Sequence, residues 1–594
     1  MCRFLRRSWK RLEDSKECDN MELLIRNGFL YDPINGIDGE KVDVSVRDDK
    51  IVDKVNEKSA EVIDASGMLV MPGGVDIHSH IAGPKVNVGR LFCPEDHRTR
   101  VRCARCFRNC EVKTPITRSG VGCSIPSTFT TGYIYAGMGY TTVVEPASPP
   151  LKTLHTHEEL NDIPIIDKAC YIRFGNNWIV MEYLKEDKIE ECAAYVAWVL
   201  RAVKGYAIKI VNPGGVEAWG WGGNVQSLDD EVPNFSVTPR EILRGLCKVN
   251  KMLNLPHPIH VHANGLGTPG NHRLLLETMD SVRDLQVEDR PIIHLTHAQF
   301  NSYGGVDWDS ISSKADEVAK YVNAHDHVTM DMGQIIFTQT MTMTGDGPFE
   351  YLLHKVTGNK WMNVDLEVEA GGGLVPIQYK RRNYVHAVMW TIGLELALLI
   401  EDPWRIFLTT DHPNGGPFIN YPKVFAWLMS KKARKRTVDK LPRLARVRSN
   451  IASIDREYTF YELAIVTRAA TARALGLKNK GHLGIGADAD ISIYDIDPKK
   501  TDPSADYKRV RKALFKAAYT IKNGEVVAKE GTIINCDVGK TFWVNPKVPE
   551  DLTKSIMPNI AEKFKEYYTI NIGNYGVPEG FLEKSEPVEV RSEL

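Results

Sequence analysis

From about residue 140 to residue 411, short apolar runs alternate with stretches of helical periodicity, and this alternation constrains the fold more than any other feature. The runs are TTVVEPA, YAIKIVN, PIHVHAN, PIIHLTH, HVTMDMG and RIFLTTD, and the stretches between them include IEECAAYVAWVLRAV and TPREILRGLCKVNKML. Continuous apolar runs suit strands buried on both faces, and the helices between them are the crossovers that parallel pairing needs. About 350 residues of this pattern predict a (β/α)8 TIM barrel with insertions, whose chemistry sits at the C-terminal ends of the strands. The polar residues of these runs lie toward that end, and several are followed within three residues by Gly, Pro or Asn.

The flanks read differently. ELLIRNGFLYD, KVDVSVRDDKIVDKV and AEVIDASGMLVMPG are short strands with turns at Asn27-Gly28 and Asp48-Asp49, and HLGIGADADISIYDID and AAYTIKNGEVVAKEGTII repeat the pattern at the far end. We therefore expect a small β-sandwich assembled from residues 21–70 and 481–545, around a barrel over 71–455 and a connecting amphipathic helix over 456–480. Residues 1–20 are expected to be a mobile tail and 546–594 a peripheral extension. The charge balance of 75 basic to 76 acidic residues gives no whole-molecule attraction to nucleic acid or to an anionic membrane. The most apolar window, MWTIGLELALLI, is far too short to span a bilayer, and a cytoplasmic location is expected.

The motif MPGGVDIHSH carries the strongest chemical signal. His78 and His80, at i and i+2 on a strand, share a face and can reach one metal ion, although two histidines at a strand end are by themselves as well explained as surface residues. Lys209 lies within an apolar strand, where a bare ammonium is costly, so it must be neutral, paired or chemically modified. His260 and His262 both face inward by their spacing, whereas only one of His294 and His297 can do so; His262 and His297, nearest the strand ends, are the preferred ligands. Asp411 in RIFLTTDHPNGGPF can ligate a metal and accept a proton, or simply cap a helix. The order His-x-His, Lys, His, His, Asp is much harder to obtain by chance than any one member.

This ordered set, with the split β unit and GHLGIGADADISIYD, resembles the amidohydrolase superfamily, specifically its members with a carboxylated lysine. Longer stretches are similar to the amidohydrolase-type subunit family of formylmethanofuran dehydrogenase: GVDIHSHIAGPKVNVGR, FGNNWIVMEYLKE, AIKIVNPGGVEAWGWGGN, FNSYGG, TMTGDGPFEY and TTDHPNGGPF. The resemblance implies two zinc ions bridged by N6-carboxylated Lys209. His78, His80 and Asp411 would complete one site, and His262 and His297 the other. It also implies that Asp411 is catalytic and that the reaction condenses formate with the amine of methanofuran, or hydrolyses the formyl amide in reverse. The implied partners are further subunits, including a tungsten- or molybdenum-pterin subunit related to formate dehydrogenase.

One segment departs from that pattern. Five of the eleven cysteines lie between Cys93 and Cys123. Cys103, Cys106 and Cys110, with Cys93 or Cys123, could hold an iron-sulfur cluster or a second, structural metal, or could be free thiols in a basic loop rich in arginine from Arg98 to Arg108. Two competing functions share parts of this reading: a free-standing cyclic-amide hydrolase of the dihydropyrimidinase or dihydroorotase type, and a scaffold that kept the barrel without catalysis. The second should show broken ligand positions, and here each one is filled.

Overall fold

The computed structural model describes residues 21–92, 124–364, 368 and 371–594. Its centre is an eight-stranded parallel sheet in chain order: β1 (Gly74–Asp76), β2 (Tyr140–Ser148), β3 (Asp167–Arg173), β4 (Ala207–Val211), β5 (Ile259–His262), β6 (Ile293–Leu295), β7 (Val328–Asp331) and β8 (Ile406–Phe407). Just beyond β1 and β8 a parallel bridge joins Ser79 to His412, and the N–H of His80 donates to the carbonyl of His412 at 2.7 Å, closing the barrel. Every residue of β2 and β3 is buried, which explains why the runs carry no polar alternation.

The crossover helices follow local rules. The helix Pro239–Met252 starts at a capping box in which Thr238 and Glu241 satisfy each other's backbone N–H, with proline in its first turn. The helix Ile189–Ala202 places Glu190 and Glu191 in its first turn and Arg201 in its last, which complements the helix dipole.

Both chain ends build the small domain. One sheet holds Glu22–Arg26, Val44–Arg47, Lys50–Val52 and Glu61–Asp64. In the other, Leu69–Pro72 pairs antiparallel with Ile491–Tyr494, so the strand entering the barrel is clamped by the returning chain. Leu23, Val44 and Ile63 of the first sheet share a core with Leu30, Val70, Ile491 and Ile521 of the second. The helix between barrel and sandwich, Phe460–Leu475, contains a π-helical turn over Ile465–Ala469.

The far end of the chain differs from the expected boundary. Thr541–Lys547 does not join the sandwich; it meets β3 at Lys168 and pairs in parallel with Ser585–Arg591. Its apolar residues face the barrel's outer layer, where Phe542 and Val544 are buried in the main core. Two insertions matter for the site. Between β7 and β8, the antiparallel strands Gln339–Thr344, Met362–Val364 and Gly372–Gln378 and the helix Gly347–Thr357 cover the C-terminal mouth of the barrel. The 93–123 segment lies outside the described residues, as do residues 1–20.

Candidate metal centre

Five of the eight strands, or the turns directly after them, deliver titratable side chains to one cavity: His78, His80, Lys209, His262, His297 and Asp411 line a space of about 390 Å³ counted with its open mouth. His78 and His80 leave the end of β1, Lys209 sits within β4, His262 ends β5, and His297 and Asp411 follow β6 and β8. Asp411 is the hub: its Oδ1 lies 2.9 Å from His78 Nε2 and 3.6 Å from His80 Nε2, and its Oδ2 4.0 Å from His297 Nε2. His297 and Asp411 hold left-handed backbone at φ 40° and 48°, as does Asn212 after β4 at 41°. Such a conformation costs a non-glycine residue about 1–2 kcal/mol, so the surroundings must enforce it. For His297 they do so in two ways: its N–H donates to Asp331 Oδ1 at 2.9 Å, and Gly333 packs so closely that an added Cβ would stand 2.5 Å from His297 Cβ.

Behind the lining residues stand partners that the sequence did not single out. Glu145, from β2, meets His80 Nδ1 at 3.0 Å and also accepts the backbone N–H of Ile81 and Ala82 at 2.8 and 3.2 Å. Asp346, from the β7–β8 insertion, meets His262 Nε2 at 3.0 Å and accepts from Asn212 Nδ2 at 3.0 Å. Asp76 accepts the His78 N–H at 3.1 Å and the Tyr135 hydroxyl at 2.7 Å. A carboxylate on one imidazole nitrogen fixes the ring's orientation and leaves the other nitrogen as a ligand. Glu145 and Asp331 do end strand runs, which was the available signal; Asp346 lies in an insertion, where no periodicity marks it.

His294 takes no part in the cavity. It is buried beneath it, with Nε2 3.2 Å from Asp331 Oδ2 and its ring stacked on Phe407. His260 is likewise below the cavity, its Nε2 2.8 Å from His78 Nδ1. The cysteines Cys93, Cys103, Cys106, Cys110 and Cys123 lie outside the described residues. Among those described, Cys170, Cys192, Cys247 and Cys536 are free thiols.

Burial dominates the electrostatics. It pushes Lys209 down to about 7, against the opposing pull of Asp411 and Asp331, and it pushes His80 down to about 4 against Glu145. The Asp411 carboxyl is raised well above the usual range by the same desolvation. The Lys209 Nζ and the His297 Nδ1 are buried without a hydrogen-bond partner. Two groups of donors, His78 with His297 and Asp411 and His78 with His260 and Asp331, have ligand atoms within 4.8 Å of one another. Converging imidazole nitrogens, a carboxylate and an unpartnered buried amine fit a pocket for divalent metal ions far better than a packed core, in which each polar group would have its own partner.

Comparison with known proteins agrees with this geometry. The model of the amidohydrolase family matches residues 61–528. Protein FwdA of Methanocaldococcus jannaschii is 51% identical over 577 residues, covering 96% of this chain and 99% of that protein. FhcA, from the formyltransferase/hydrolase complex Fhc of Methylorubrum extorquens, is 34% identical over 553 residues, covering 91% of this chain and 94% of that one. The crystal structure of that organism's FhcABCD complex with methylofuran contains a chain that superposes with a TM-score of 0.85 at 32% identity, covering 96% of this chain and all of that one. A dihydroorotase of Syntrophotalea carbinolica is 46% identical over 67 residues, 11% of this chain and 16% of that protein. Among the described residues no helix is long and apolar enough to cross a membrane. The chain belongs to the amidohydrolase family, within the group that holds FwdA and FhcA.

Proposed function

We propose that this chain makes or breaks the formyl amide of a methanofuran-type amine, joining formate to the amine or hydrolysing the product, as the amidohydrolase subunit of a larger complex. The observation that carries the reading is the Lys209 amine: buried, unpartnered, held down to about 7, and aimed into a cavity with four imidazoles and Asp411. A neutral lysine amine can add carbon dioxide and become a bridging carboxylate. The donor set then divides into His78, His80 and Asp411 on one side and His262 and His297 on the other, with Lys209 between them. Two zinc ions held there would polarise the formyl oxygen and make a water acidic near neutral pH.

The chain's own residues perform the rest. In the hydrolytic direction the attacking water loses a proton and the leaving amine nitrogen gains one. Asp411, 2.9 Å from His78 Nε2 at the centre of the donor set, is positioned to take the first and supply the second. In the synthetic direction the same carboxyl takes a proton from the amine and returns it to the departing oxygen. Glu145 and Asp346 hold His80 and His262 in one orientation each. Thr342, Thr344 and Phe349 of the β7–β8 insertion close the cavity and keep bulk water from the acyl carbon.

The relatives support membership of a multi-subunit complex of FwdA or Fhc type; that a tungsten- or molybdenum-pterin subunit supplies formate is the further part of the proposal. The test is an assay of the purified chain with formyl-methanofuran, reading formate release. The expected result is formate release that Asp411→Asn abolishes. Equal turnover by wild type and by Asp411→Asn would overturn the assignment of Asp411.

A further inference from the structure

Beneath the cavity the barrel holds a file of histidines that the proposed chemistry does not use. His78 Nδ1 lies 2.8 Å from His260 Nε2, and His260 Nδ1 lies 3.0 Å from His257 Nε2. His257 Nδ1 ends the file 2.7 Å from the carbonyl oxygen of Ala474, in the last turn of the connecting helix. That carbonyl is one of those a helix C-terminus leaves unpaired, as is its neighbour at Leu475, which accepts from the Tyr206 hydroxyl at 2.5 Å. All three rings are buried, and Tyr171 packs against His257 and His260. Nitrogens that ligate one zinc ion tetrahedrally stand roughly 3.3 Å apart. The 2.8 Å between His78 and His260 is instead a hydrogen bond.

The file has a direction. A carbonyl oxygen only accepts, so His257 Nδ1 carries a proton. No carboxylate among the described residues hydrogen-bonds to His257 or His260, and an imidazolium there would be a buried charge without compensation, so each ring carries a single proton. His257 Nε2 therefore accepts from His260 Nδ1–H, and His260 Nε2 accepts from His78 Nδ1–H. The lone pair of His78 is left on Nε2, the nitrogen that faces Asp411 in the cavity. Its neighbours are consistent with this. The Thr296 hydroxyl, 2.5 Å from His78 Nδ1, can accept from the same N–H. Asp331 Oδ2, at 3.8 Å, is beyond hydrogen-bond distance from His78 Nδ1, and it already meets His294.

We infer that His257 and His260 are positioning residues that relay the polarity of a helix-end carbonyl to His78, fixing it in the tautomer that presents Nε2 to a metal ion. This rests on reading His78 as a ligand. It makes metal affinity depend on how the connecting helix seats against the bottom of the barrel.

The test is chelator competition with zinc on the full-length chain, comparing wild type, His260→Leu and His260→Gln. The glutamine amide can both accept and donate, so it preserves the direction of the file. His260→Leu is expected to bind zinc about 10–100-fold more weakly, and His260→Gln to remain within about threefold of wild type. Wild-type affinity in His260→Leu would overturn the inference, as would equal loss in both variants at unchanged thermal stability. A wild-type chain that binds no zinc would refute the ligand reading instead. Neutron diffraction from wild-type crystals in heavy water tests the file even if His260→Leu fails to fold. Deuterium on Nδ1 of His257, His260 and His78 is the expected result, and deuterium on Nε2 of His260 would overturn it.

Discussion

Two of the buried lysines in this protein, one in the cavity and one where the sandwich meets the barrel, have opposite surroundings. Lys480 Nζ lies 2.5 Å from Asp167, 2.7 Å from Asp488 and 2.7 Å from Asp490, while Lys522 reaches Asp167 and Asp490 at 3.0 Å each. Burial pulls the Lys480 ammonium down, but the three carboxylates together hold it well above its ordinary value. Lys209 is equally buried, with no hydrogen-bonding partner, and its proton affinity is pushed down to about 7 instead. The contrast separates a lysine that ties two domains together from one whose amine gives up its proton readily. Asp167 begins β3 at the bottom of the barrel, so the Lys480 cluster clamps the end opposite to the cavity.

Substitution of each lysine tests the contrast. Lys209→Ala should lower turnover by about 1,000-fold or more, and millimolar acetate or propionate should restore part of it by supplying the missing bridging carboxylate; full activity without acid would break the comparison. Lys480→Met should instead leave three aspartates short of a cation and destabilise the fold by about 3–5 kcal/mol in denaturant titration, whereas Lys209→Met should leave the metal-free fold as stable as wild type or more so. Equal losses in the two variants would show that the lysines do the same work.

Two pH responses of the same sign, in separate windows, should follow. The folded-state pKa of Lys209, about 7, lies below its unfolded value of 10.5, so the unfolded chain binds more protons between those limits. Metal-free wild type should therefore gain stability relative to Lys209→Met as pH rises from 7 to 10.5, by at most about 1.4 kcal/mol per pH unit. Asp490 is held below its ordinary value, chiefly by Lys480 and Lys522 acting against burial, so its contribution is complete above the usual carboxylate range and fades as pH falls through it. A stability difference between wild type and Lys209→Met that stays flat across the alkaline window would contradict the neutral-lysine reading.

Two smaller effects sharpen the picture at the cavity. Glu145→Gln and Asp346→Asn should each weaken metal binding by about 10–100-fold without unfolding the chain, read by chelator competition. Gly333→Ala, with a left-handed φ of 57° and His297 in the way, should cost about 1–3 kcal/mol and shift His297. No change in stability would mean that the loop after β7 yields freely.

The parts of the molecule legible in the sequence are those where neighbours along the chain are neighbours in space. His78 and His80 share a strand face, Lys209 interrupts an apolar run, and the pairing of Leu69–Pro72 with Ile491–Tyr494 joins two segments that each read as strands. What stayed hidden depends on closure of the barrel. Glu145 and Asp331 resemble any polar strand end until β2 and β7 bring them beside His80 and His297. Asp346 reaches His262 from an insertion with no periodicity of its own. His257 looks like a loop histidine until the connecting helix brings the Ala474 carbonyl to it. Thr541–Lys547 lies next in the chain to the returning sandwich strands, and only the fit of its apolar residues against the barrel sends it to β3.

The most direct test of the central claim is the zinc content of the purified chain by plasma mass spectrometry, for wild type and for Lys209→Ala with and without acetate. About two zinc ions per wild-type chain, a marked loss in Lys209→Ala, and recovery on adding acetate are expected. Zinc retained in full by Lys209→Ala without acid would contradict that claim.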